Sequence, residues 1–193
     1  MTEAGFGRRG ALAAHCRKMA HNNAWANWRL LTACAQLSDA DFKAQRTSFF
    51  PSLHETLNHN LMVDLYYIDA LERGGLGRLV FERFRPFDMA QLLPAQAAAD
   101  RRLIAFCDGL SDDMLATTVT TDRGEHGQVE ERVDDLLAHL FQHQIHHRGQ
   151  AHAMLAGTAV APPQLDEYFL RHDSQQTRVE LRRLDLAPPE ELL

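Results

Sequence analysis

The sequence predicts an all-α protein, a four-helix bundle with a small β element before the last long helix. Three observations carry that reading. Four long stretches place apolar residues at helical spacing between caps, glycines and prolines. One run of β-branched residues, Thr117-Thr118-Val119-Thr120-Thr121, leads into Asp122-Arg123-Gly124 and reads as a short strand or hairpin. A chain of 193 residues with 45% hydrophobic and 24% charged content has the make-up of one ordinary globular domain.

The first helix is expected from about Arg9 to Gln36, a proline-free stretch in which Met19, Asn23, Ala26, Asn27, Leu30 and Leu31 recur at helical spacing. Ser38 then caps a short acidic turn. Pro51-Ser52-Leu53-His54-Glu55 has the capping-box pattern, so a second helix should run to about Arg73, where Gly74-Gly75 stops it. That helix is apolar on two sides, Leu57, Leu61, Leu65 and Ile68 on one and His59, Val63, Tyr66 and Ala70 on the other. Leu76 to Pro86 reads as irregular and basic. A third helix is expected from near Asp88 to Gly109, with Pro94 marking a kink or a true start, and Ser111 caps a brief turn after it. The fourth runs from about Val129 to Ala156. Residues 1–175 are expected to form the domain, and 176–193, with Pro188-Pro189, a tail.

Net charge is −6, which disfavours a general nucleic-acid surface; Arg78, Arg83 and Arg85 read as a solvated loop. Cys16, Cys34 and Cys107 form neither a disulfide frame nor a CxxC pair. With no membrane-length apolar run and no signal-peptide order at Met1-Thr2-Glu3, the expectation is a cytoplasmic protein that does not enter membranes.

Chemistry concentrates in the fourth helix, where His139, His143, His146 and His147 fall within nine residues. On a helical wheel, Val133, Leu136, Leu140, His143, His147, Gln150 and Met154 share an arc of about 100°. His139 and His146 sit at its edge and read as bystanders; His152 points away. Neutral imidazoles four residues apart inside an apolar stripe can grip one Zn, Ni, Fe or Cu ion, but a site needs a third ligand. His59, mid-helix on an inward stripe, is the favoured donor, with His54, His15, His21 and His139 as competitors. Three histidines with an open position for water or a thiol describe a catalytic type of centre. Asp64 lies about 140° round its helix from His59, so it is expected to support the site rather than to ligate. Gln150 faces the ligand stripe and could hydrogen-bond an imidazole. Arg148 points away and reads as a structural ion pair.

Ala26-Asn27-Trp28-Arg29-Leu30-Leu31, Thr56-Leu57-Asn58-His59 with Asp64, His139 through Gln150, and Pro162-Pro163-Gln164-Leu165-Asp166 resemble the DinB/YfiT superfamily over almost the whole chain. This DinB is unrelated to the DNA polymerase of the same name. The resemblance implies an up-down-down-up bundle, commonly a homodimer, with a divalent metal, Zn, Ni or Fe, on His59, His143 and His147. Some relatives look like metal-dependent transferases using a low-molecular-weight thiol and others like isomerases or hydrolases, so the resemblance implies a small-molecule enzyme, a thiol-dependent transferase or a hydrolase foremost. The competing expectation is a non-catalytic, stress-related dimer that holds a metal or ligand at the same place.

Overall fold

The computed structural model describes residues 10–187 and Pro189. The expected helix start at Arg9, the first residues of the chain, and Pro188 lie outside them.

Helix α1 (Ala11–Cys34) is followed by the short α2 (Asp39–Lys43), whose cap Ser38 accepts from the Asp41 amide at 3.0 Å. Helix α3 (Leu53–Leu71) starts at Ser52, whose Oγ accepts from the Glu55 amide at 3.1 Å. Both apolar sides of α3 are covered: Leu57, Leu61 and Ile68 are buried, and so are Val63, Tyr66 and Ala70.

Two of the next elements differ from expectation, and the third long helix spans its expected range without a fresh start at Pro94. The stretch expected to be irregular contains helix α4 (Leu79–Arg83), ordered by buried Val80 and by the Asp69 carboxylate, which accepts from the amides of Leu76 and Gly77 at 2.9 and 3.1 Å. Helix α5 (Met89–Asp108) begins five residues before Pro94 and continues through it, giving up one amide bond there. The Asp88 side chain makes no cap bond, because it accepts from Lys43 Nζ at 2.7 Å instead. After α6 (Asp112–Leu115), strand β1 (Thr118–Asp122) pairs antiparallel with β2 (Gln128–Arg132) in a register that sets Thr118 opposite Arg132. The residues from Val129 expected to open the last long helix therefore belong to β2. Helix α7 runs Val133–Ala156.

Cross-contacts give the direction of each long helix. Asn27 and Asn23 reach Asp100 while Arg17 reaches Asp108, so α1 and α5 are antiparallel. Asn60 meets Gln144 and Tyr67 meets His139, so α3 and α7 are antiparallel. Asn58 bonds Phe87 and Glu72 bonds Arg102, so α3 and α5 are parallel. The four helices run up, down, down, up, and the parallel pair needs the long crossover of residues 72–88. Asn58 pins that crossover: its Nδ2 donates to the Phe87 carbonyl at 3.0 Å, and its Oδ1 accepts from the Phe87 amide at 2.7 Å.

The residues set apart as a tail open in helix α8 (Ser174–Arg183), whose Thr177, Glu180 and Leu181 are buried. Glu180 Oε2 accepts from Trp25 Nε1 at 2.7 Å and from Arg29 Nε at 3.0 Å. Trp25, Ala26, Tyr168 and Leu181 form a small apolar cluster beneath it. Among the described residues no helix is long and apolar enough to cross a membrane.

Candidate metal centre

Helices α3 and α7 face each other across His59, His143 and His147, and one ring nitrogen from each lies within 4.8 Å of the others. The spacing on α7 puts two imidazoles on successive turns of one face, and the antiparallel partner presents the third between them. His59 Nε2 and His143 Nε2 stand 3.1 Å apart. Two nitrogens bound at about 2.1 Å to a common ion, at angles of 90–110°, are separated by about 3.0–3.4 Å, so this pair is already at coordinating distance.

Protonation is set by the surroundings. Burial pushes the His59 pKa down to about 4 and that of His143 down to about 3, with the neighbouring imidazoles adding to the effect. Burial also lowers His147. All three are therefore neutral at pH 7 and offer lone pairs, the state a metal requires.

Gln150 serves His147. Its Oε1 lies 2.8 Å from His147 Nδ1 and accepts that nitrogen's proton, leaving Nε2 free toward the centre. Its Nε2 donates to His146 Nε2 at 3.1 Å. His146 is exposed and His139 is exposed against Tyr67, with ring centroids 5.1 Å apart, and neither joins the group of three. Of the competing donors, His54 packs edge-on to Phe42, and His21 lies 4.0 Å from Asp108 at another part of the bundle.

Asp64 is not against the imidazoles. It is buried among the four helices, where Gln96 Nε2 donates to its Oδ2 at 2.7 Å. Gln96 also donates to Asp100, which accepts from Asn23 and Asn27 at 3.2 and 3.0 Å. Arg148 closes the network by donating to Asn23, to Asn27 at 3.0 Å and to Gln144 at 3.1 Å. Its guanidinium is no simple ion pair. It is a buried cation facing two buried acids and held mainly by amide oxygens. Burial lifts Asp64 to about 7 and Asp100 to about 6, while burial drops Arg148 to about 10.

This network was hidden in the sequence, yet it bears on the centre. Asn60 follows His59, Gln144 follows His143 and Arg148 follows His147, so the neighbour of each of the three histidines turns about 100° into the network. Phe50 was missed as well. Its ring packs against two of the imidazoles, with centroids 4.3 Å from that of His59 and 5.5 Å from that of His147. Its only sequence signal is the aromatic pair before the Pro51-Ser52 cap.

The DinB family model matches residues 10–179. Protein DinB of Bacillus subtilis (strain 168) is 24% identical over 160 residues, which cover 79% of this chain and 92% of that protein. A match of that extent, over an up-down-down-up bundle with three histidines gathered between α3 and α7, makes this chain a member of the DinB family.

Proposed function

We propose that the protein is a metal-dependent enzyme acting on a small molecule, with His59, His143 and His147 holding one divalent ion, Zn, Ni or Fe. The observation that carries the reading is the meeting of three neutral imidazole nitrogens within 4.8 Å. A divalent ion there would supply the Lewis acidity that makes a thiol or a water molecule a nucleophile at neutral pH. The reaction class is transfer to or from a low-molecular-weight thiol, or hydrolysis.

The chain's own residues do the rest. Gln150 fixes the ring of His147, Phe50 shields the His59 and His147 faces from bulk water, and Asn60, Gln144 and Arg148 hold the backbone on which the ligands stand. Three neutral ligands leave the full charge of the ion uncompensated, which favours an anionic fourth partner such as a thiolate. The protein's own cysteines are poor candidates for that nucleophile. Cys34 and Cys107 are buried and burial pushes both thiols up, Cys34 to about 12.

The test is metal analysis of freshly purified protein, followed by turnover of a panel of thiols with electrophiles and of ester and amide substrates. Stoichiometric metal with thiol-dependent or hydrolytic turnover, both lost in His143→Ala, supports the proposal. Stoichiometric metal with no turnover favours a dimer that only binds metal or ligand, and size-exclusion with light scattering reads the dimer.

A further inference from the structure

A cavity of about 320 Å³ opens beside the three histidines, with His143 and His139 at one side and Arg78, Phe81 and Arg123 among its other walls. Val63, Tyr66 and Tyr67 of α3 complete its apolar lining. This is the size of a small-molecule site, and Arg78, Arg123, Asp122, His139 and His143 set charged and imidazole groups into its wall. Its charged groups are unequally engaged. Arg123 donates to Glu131 at 2.6 Å and to the Tyr67 hydroxyl at 3.0 Å, so its charge is matched. Asp122 Oδ1 accepts from the Gly124 amide at 2.9 Å, and its backbone carbonyl accepts from Tyr66. Arg78 makes no ion pair with any described residue.

The hairpin turn packs against Arg78. Gly124 is required by its own backbone, at φ +65°, and its lack of a side chain lets the turn close against Arg78, whose Nη1 lies 2.6 Å from where a Cβ would stand. An exposed arginine with no ion pair among the described residues, on the wall of a cavity that also carries the apolar surface of Val63, Tyr66 and Phe81, has the geometry to receive a carboxylate.

We infer that this cavity binds the substrate and that the substrate is a small carboxylate with an apolar body, its carboxylate on Arg78 and its body between Tyr66, Phe81 and Val63. The inference rests on the reading of the three histidines as a metal centre, because an ion held by three neutral ligands adds two positive charges beside the cavity. It goes further by naming what lies at the cavity's other end. Arg78 thereby changes from a solvated loop residue to one that selects the substrate.

The test uses the full-length protein loaded with Zn(II), and benzoate, benzyl alcohol and phenyl phosphate as probes, titrated by calorimetry. Benzoate is expected to bind and benzyl alcohol, its uncharged counterpart, at least tenfold more weakly. Arg78→Gln is expected to weaken benzoate about tenfold, Arg78→Lys to recover part of the loss, and both to leave Zn(II) content and melting temperature unchanged. Equal binding of benzoate and benzyl alcohol, or an affinity for benzoate indifferent to Arg78, overturns the inference while leaving the metal centre standing. Tighter Arg78-dependent binding of phenyl phosphate than of benzoate overturns the carboxylate assignment. Should the protein take up no metal, the metal reading falls, and the same comparison on the protein as purified decides the cavity separately.

Discussion

Asn60 Nδ2 donates to Gln144 Oε1 at 3.1 Å, one residue beyond His59 and His143, whose Nε2 atoms are themselves 3.1 Å apart. The two contacts join the same pair of helices at the same level, one facing the cavity side and one facing the core. A shift of α3 along α7 by a single turn, about 5.4 Å, would break both at once. The core hydrogen bond and the meeting of the imidazoles therefore belong to one helix register.

Zn(II), Ni(II) or Fe(II) should raise the melting temperature of the wild-type protein. At a free-ion concentration of 1,000 times Kd the native state gains about 4 kcal/mol, or about 10 °C for a chain of this size. His59→Ala and His143→Ala should abolish the shift, as read by differential scanning fluorimetry with and without chelator. A shift that persists in both variants places the ion elsewhere.

Gln150→Ala should weaken metal binding about 10- to 100-fold by releasing the His147 ring. Metal-free stability should change by less than about 1 kcal/mol, since Gln150 is only partly buried. Competition against a chelating dye measures the first quantity and urea unfolding the second. Equal metal affinities would show that the ring is oriented by packing alone.

Replacing Gln144 by Leu should cost about 2–4 kcal/mol, because Arg148 and Asn60 lose an acceptor inside the core. Arg148→Met should cost about 3–5 kcal/mol, since it strands Asp64 and Asp100 without the cation that faces them. Both variants are measured by urea unfolding in chelator, which separates fold stability from metal binding. A cost under 1 kcal/mol for Arg148→Met would mean that the acids are neutral and indifferent to it.

Burial lifts the folded-state pKa of Asp64 from 3.8 to about 7, with the charge of Asp100 adding to it. Between those values the native state holds a proton that the unfolded chain has released. The stabilisation is thus complete at low pH and is lost as pH climbs from about 4 through 7. Asp64→Asn fixes the neutral form, so its stability relative to wild type should improve by about 2–3 kcal/mol between pH 5 and pH 8. The lowered histidines act oppositely, since their contribution is present above 6.5 and fades as pH falls. They are common to both proteins and cancel in the difference. A pH-independent difference would show that Asp64 is ionised throughout.

Periodicity made the three histidines readable, since helix phase alone places His143 and His147 on one stripe and His59 on another. Caps were equally readable: Ser38, Ser52 and Ser111 each accept the amide three residues on, as their local pattern requires. Features decided by distant parts of the chain were not. Val129 to Arg132 has charges that suit a helix start, and only pairing with Thr118–Asp122 makes it a strand. Asp64, Gln96, Asp100, Gln144 and Arg148 each look like surface residues on their own helix, and they become one network only when four helices bring them together. Helix α8 is strongly polar, and its burial depends on Trp25 and Arg29, which lie about 150 residues away.

Because the chain neighbour of each of the three histidines is tied into that network, the imidazoles are held in place whether or not an ion sits between them. Little chain ordering should remain to be done when a metal arrives. A chelator should then empty the centre without melting the bundle, leaving a folded protein ready to take up whichever divalent ion the cell next supplies.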